Sequence, residues 1–224
     1  AQLPVALERA DLRIVHAAWQ DGAIAAVRPL AAGTLTQQYD AWEAQATQLA
    51  QRSDLGERMR AEMAAWGGDL ELRENVPPLL AAHAENEANK QMLNPLKVLT
   101  SGVEQPTDTP FYAGGKWRFV ERVGWWNHYD HSTPVVVGHY WRRRHAMNRA
   151  SVGKEDEDLF AHIAPTAWHG RRGNVFCVDY SVGGSWRARL DSEPPHAHFK
   201  LAALRWPERV LQFHDGHCEA TQGL

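Results

Sequence analysis

The chain has 224 residues, a net charge of −3 with both signs interspersed, and 44% apolar residues. That length suits one large domain or two small ones, with ample chain for a core. The charge balance excludes the basic footprint of a nucleic-acid binder, and no apolar run approaches the roughly 20 residues that cross a bilayer.

Two cysteines, Cys177 and Cys218, form neither a disulfide framework nor a C-x-x-C motif, so a reduced cytoplasmic compartment is expected. Cys177 lies in an apolar run and reads as a buried thiol. The opening Ala1-Gln2-Leu3-Pro4 has no basic n-region and no apolar h-region, and it begins in mid-pattern without methionine. A processing edge, a cloning edge or the edge of a fragment each account for such a start.

In chain order, residues 3–9 alternate weakly and predict a strand. Ala10-Asp11 then turns the chain into a second strand over Leu12–His16, giving a hairpin. Asp21 caps a short predicted helix over 21–27 that Pro29 stops. Residues 36–66 carry apolar residues at three- and four-residue spacing (Tyr39, Trp42, Ala46, Leu49, Ala50), with a break at Gly56 and an end at Gly67-Gly68. A third helix is predicted over 76–90, with Pro77 and Pro78 in its first turn. Residues 36–90 thus read as a helical insertion in a strand-rich chain.

Leu96–Leu99 predicts a short strand, 101–110 a turn-rich connection, and 116–123 an alternating strand. Asn127–Thr133 is a polar loop. Val135-Val136-Val137 reads as a strand buried on both faces, with Gly138 as the turning point after it. The acidic run 155–158 reads as solvated. Asn174–Asp179 predicts another buried strand, which Ser181–Gly184 turns back. Two strands, 200–206 and 209–213, flank a Pro207-Glu208 turn, and the tail from Cys218 is expected to fray.

Two of these strands end in histidine: Ile14-Val15-His16-Ala17-Ala18-Trp19 and Val137-Gly138-His139-Tyr140-Trp141. Ligands of α/β proteins bind at carboxyl strand ends. Paired neutral imidazoles there suit zinc, iron, copper or nickel. The alternative is two core-edge histidines, each bonded to a backbone group.

With Val175-Phe176-Cys177-Val178-Asp179-Tyr180-Ser181-Val182-Gly183-Gly184 following in order, these segments resemble the carboxyl-terminal half of calcineurin-like metallophosphoesterases. The branch is the one near serine/threonine protein phosphatases and symmetrical diadenosine tetraphosphatases. Asn94–Gly102, Gly115–Phe119 and Arg172-Gly173-Asn174 add to the likeness. The resemblance implies an α/β (α+β) fold, a β-sandwich flanked by helices, with residues 1–224 forming a single incomplete domain. It implies that His16 and His139 are metal ligands of one ion. Two divalent ions (Mn, Fe, Zn or Mg) would serve the complete parent, and water attacks the phosphoryl group there. Asp179 and Tyr180 would stand behind the ligands, Asp179 orienting a histidine. Arg142 or Arg118 would contact phosphate through a bidentate fork.

The family's first half carries Asp-x-His, Gly-Asp-x-x-Asp and Gly-Asn-His, and none of these occurs ahead of Ile14-Val15-His16, where the family's order requires them. They supply the remaining ligands and the general acid, so no catalytic residue is assigned. The expectation is therefore the carboxyl-terminal portion of a phosphomonoester or phosphoanhydride hydrolase, inactive alone. Its substrate would be a phosphoprotein, a dinucleoside polyphosphate or a small phosphoester; nucleic acid and membrane are not expected partners. A non-catalytic remnant acting as a binding or scaffold module is the alternative. A third idea, a histidine-rich metal buffer, rests on twelve histidines, of which only His196 and His198 form a tight pair. Solvated loop histidines, His169 among them, explain the rest.

Overall fold

The computed structural model describes residues 3–145, 158–190 and 199–224, so His196, His198 and residues 155–157 lie outside the described residues. The described residues form a mixed α and β structure with six α-helices and three small sheets. The chain divides into two compact units. Unit 1 gathers residues 1–19, 124–147 and 158–224, and unit 2 is built on 20–123 with 148–157. The helical segment read as 36–90 is thus part of a larger unit.

Unit 1 contains a four-stranded sheet in the order β1-β2-β5-β6. Strands β1 (Ala6–Glu8) and β2 (Arg13–Val15) pair antiparallel, as the hairpin reading requires. Strand β5 (Val135–Val137) then pairs parallel with both β2 and β6 (Val175–Cys177). All six residues of β5 and β6 are buried, which is why both read as continuous apolar runs. Leu7, Ile14, Val136 and Phe176 stand opposite one another across the sheet. The inner end of that row packs into a cluster of Leu12, Trp168, Tyr180, Leu211 and Phe213.

A second sheet in unit 1 is antiparallel: β7 (Ala202–Arg205), β8 (Val210–Phe213) and β9 (Cys218–Ala220). The tail does not fray. β9 pairs with β8, and Gln222 exchanges backbone hydrogen bonds with Thr166 and Trp168. Helix α6 (Val182–Leu190) replaces the expected turn over 181–184. Gly184 lies so close to Phe199 that a Cβ there would come within 2.6 Å of the ring, so this glycine serves close packing.

Unit 2 holds α1 (Asp21–Val27), α2 (Leu35–Arg52), α3 (Leu55–Trp66), α4 (Ala81–Met92), α5 (Pro95–Ser101) and the hairpin of β3 (Glu104–Ala113) with β4 (Lys116–Arg122). Four expectations are corrected here. Gln20 rather than Asp21 is the N-cap of α1. The break between α2 and α3 falls at extended Ser53, and Gly56 continues the second helix. Leu96–Leu99 is helical because Asn94 caps it: the Asn94 Oδ1 accepts from the backbone N–H groups of Leu96 and Lys97, and Pro95 takes the first helical position. Residues 104–113 form a strand despite Pro106 and Pro110, since a two-stranded ribbon has an outer edge where a missing N–H is tolerated. Gly114 and Gly115, both at positive φ, make the two-residue turn.

Helix α4 starts after Pro77 and Pro78, not on them, and has no side-chain cap of its own. Glu62 of α3 fills that role across the helix pair. Its carboxylate accepts from Ala82 N (2.8 Å), His83 N (3.2 Å) and His83 Nδ1 (3.1 Å). Burial pushes the Glu62 carboxyl up, but these bonds outweigh it and hold the group below its ordinary value. Glu62→Ala should therefore destabilise unit 2 by about 1–2 kcal/mol. The check is the urea midpoint of the full chain followed by helical circular dichroism; an unchanged midpoint refutes the cross-helix cap.

Candidate functional site

The parallel pairing brings the carboxyl ends of β2, β5 and β6 to one edge of the sheet. His16 follows β2, Gly138 and His139 follow β5, and Asp179 follows β6. The ladder runs into these residues: Gly138 N donates to His16 O at 2.9 Å and Val178 N to Val137 O at 2.8 Å. The two imidazoles face each other with ring centroids 5.5 Å apart and planes tilted by 59°. His16 is exposed and His139 half-buried.

The backbone special to this edge is His139, not Gly138. His139 has φ 65°, and Tyr140 N donates to Gly138 O at 2.7 Å, closing a three-residue turn with His139 at its apex. Trp141 (φ 55°) and Ser181 (φ 61°) are also left-handed. A Cβ on Gly138 would make only ordinary contacts, 3.6 Å to His16 O and 3.8 Å to the Asp179 Cβ. Non-glycine residues at positive φ are uncommon, although histidine is enriched among them, and their clustering is characteristic of functional edges.

The other expected site residues are placed as follows. Asp179 Oδ1 accepts from Ser181 N at 2.8 Å, so the contact seen is a local turn bond, with no bond to a histidine among the described residues. Tyr180 is buried in the core cluster with its hydroxyl donating to Pro165 O, and burial pushes its phenol up to about 12. Arg142 does not present an outward fork. It is 1% exposed, and its guanidinium donates to the carbonyl groups of Cys177, Ala164 and Ala167. Arg118 belongs to unit 2, on β4, where its Nε donates to Ala113 O.

His169, expected among the solvated loop histidines, is instead 5% exposed and enclosed edge-on by Trp126 (4.9 Å) and Phe160 (5.4 Å). Neither ring nitrogen finds a hydrogen-bond partner of good geometry among the described residues. Its neighbour Trp168 and the bridge between His169 and Val175 draw it inward. By contrast His128, His131, His145, His162, His214 and His217 are exposed.

His16 and His139 are a fitting but partial donor set for a divalent ion. Two imidazoles supply half of a four-coordinate shell, and among the described residues no group of three or more His, Cys, Asp or Glu completes it. No helix of the described residues is long and apolar enough to cross a membrane. Compared with family models, curated proteins and solved structures, the chain matches none.

Burial, then the nearby Arg142 charge, depress the His169 imidazole to about 3 from an ordinary value near 6.5. The unfolded chain thus binds a proton between those two values that the folded chain refuses. Stability is fully present above pH 6.5 and falls as pH drops toward 3, by up to about 1.4 kcal/mol per pH unit. Tryptophan fluorescence in urea at pH 7.5 and pH 5 should show a lower midpoint at pH 5, and His169→Phe should shrink that difference. Equal pH sensitivity in the variant refutes the assignment.

Proposed function

We propose that the chain is the carboxyl-terminal portion of a metal-dependent phosphoesterase, and that His16 and His139 together hold one of its divalent ions. The observation that supports this reading is the pair of imidazoles, 5.5 Å apart, at the carboxyl ends of adjacent parallel strands. The strand-end location is where α/β sheets bind ligands, and left-handed backbone at the same edge fits a site that function constrains. In this reading unit 1 is part of a metallophosphoesterase sandwich.

His16 and His139 would hold the ion, and the chemistry supplied there would be Lewis-acid polarisation of a phosphoryl oxygen and acidification of a water. The part taken by this chain's own residues is narrower. His16 and His139 offer imidazole nitrogens, and the turn at Gly138–Tyr140 holds the second imidazole toward the first. Hard ions such as Mn and Mg prefer oxygen donors, so the carboxylates and the general acid would come from sequence outside these 224 residues. The substrate would be a phosphoprotein, a dinucleoside polyphosphate or a small phosphoester, and the compartment cytoplasmic.

The purified chain should not hydrolyse p-nitrophenyl phosphate with manganese. A longer protein from the same gene, with Asp-x-His and Gly-Asn-His ahead of Ala1, should do so. His16→Ala and His139→Ala should each lower its rate by more than the roughly 10- to 100-fold typical of residues behind metal ligands. A longer protein whose rate is indifferent to both substitutions overturns the reading.

A further inference from the structure

We infer that Arg142 is a positioning residue: its buried guanidinium clasps the two strand-end loops so that the His139 imidazole faces His16. The inference rests on the reading of His16 and His139 as a ligand pair and adds what holds the pair in place.

The residues between β5 and Arg142 are only Gly138, His139, Tyr140 and Trp141, and two of them are non-glycine residues at positive φ. Such a turn persists only where its surroundings over-determine it. Arg142 supplies that constraint in both directions. Its Nη1 donates to Cys177 O, the last residue of β6, at 3.3 Å, and its Nη2 donates to Ala164 O and Ala167 O, each at 2.6 Å. In return Ser181 Oγ donates to Arg142 O at 3.1 Å. The loop after β5 and the loop after β6 are therefore tied through one side chain and its own backbone. The guanidinium also lies over the rings of Phe160 and Phe176, its Cζ 5.6 and 4.9 Å from their centroids.

The chemistry of Arg142 argues against simple core filling. Among the described residues no carboxylate pairs with this buried cation, and its Nε is unpartnered. Desolvating a guanidinium without a counter-charge is costly, and an apolar side chain would fill the volume without that cost. The planar fork does what an apolar residue cannot: it gathers carbonyls from three separate backbone sites. Lysine, with a point-like ammonium, cannot span them in the same way.

The test uses NMR on the full chain, comparing wild type, Arg142→Met and Arg142→Lys. Wild type should show a cross-relaxation peak between the His16 and His139 ring protons, as their separation requires. In Arg142→Met that peak should vanish and the Tyr140 amide should exchange at least about tenfold faster, while β5 and β6 amides keep their protection. Retention of the peak overturns the proposal, as does its absence from wild type. Loss of protection throughout both strands in a folded variant assigns Arg142 to general stability and also overturns it. If Arg142→Met does not fold, Arg142→Lys decides: folded with the peak lost supports the proposal, folded with it intact refutes it. A Ni2+ titration separates this from the ligand reading. Wild type should bind in a His16-dependent manner, and Arg142→Met about tenfold more weakly. A wild type that ignores Ni2+ removes the ligand reading and leaves Arg142 to the ring-proton test.

Discussion

The pairing of three very short parallel strands governs unit 1. Strands β2, β5 and β6 contribute three residues each, too few for hydrogen bonds alone to offset the entropy of bringing distant segments together. Burial makes up the difference. Each fully buried valine or phenylalanine contributes about 1.5–3 kcal/mol relative to exposure, and Val135, Val137, Val175 and Phe176 are all buried. The segments that meet are far apart in sequence: the connection between β2 and β5 includes the whole 20–123 stretch of unit 2. Once the strands are in register, their carboxyl ends have no freedom to separate, and His16, His139 and Asp179 share one edge.

Buried polar groups then specify what apolar packing leaves open. Asn94, fully buried, caps α5 with its oxygen and donates from its amide nitrogen to Glu43, which in turn pairs with Lys97. Glu62 does the same for α4 from a different helix. In unit 1 Arg142 and His169 play opposite electrostatic parts within one aromatic environment. Arg142 stays charged because carbonyl dipoles and ring faces solvate it, while His169, lacking strong partners, stays neutral. The like-charge penalty from Arg142 reinforces that neutrality.

What the sequence revealed follows the strength of each local signal. A run of three valines identified β5, a continuous apolar run identified β6, and three- and four-residue spacing sustained over several turns identified α2 and α3. Leu96–Leu99 misled because a short segment with three apolar residues in four fits a strand or a helix equally, and the deciding signal was the Asn94-Pro95 cap beside it. Pro106 and Pro110 hid β3, since edge placement is a tertiary property. At the edge itself, His16 and His139 were legible as strand-end histidines. The burial of Arg142 and His169 was not, because neither a basic triplet nor a loop histidine announces that aromatic side chains from distant segments will enclose it.

The left-handed turn at His139 joins the buried sheet to the edge that carries the two imidazoles. A glycine stands immediately before it and would take positive φ at no steric cost, yet the chain places that conformation on the histidine. The side chain direction explains the choice. With Gly138 still donating to His16 O, the ladder continues to the last possible residue, and reversal at the next one turns the His139 ring toward the strand just paired. A turn on Gly138 would have ended the ladder one residue earlier. Since adjacent residues of a strand point to opposite faces, the histidine's direction would have changed with it. The strain is thus located where it orients an imidazole, and the core beneath the edge, buried and cross-braced, is stable enough to hold it there.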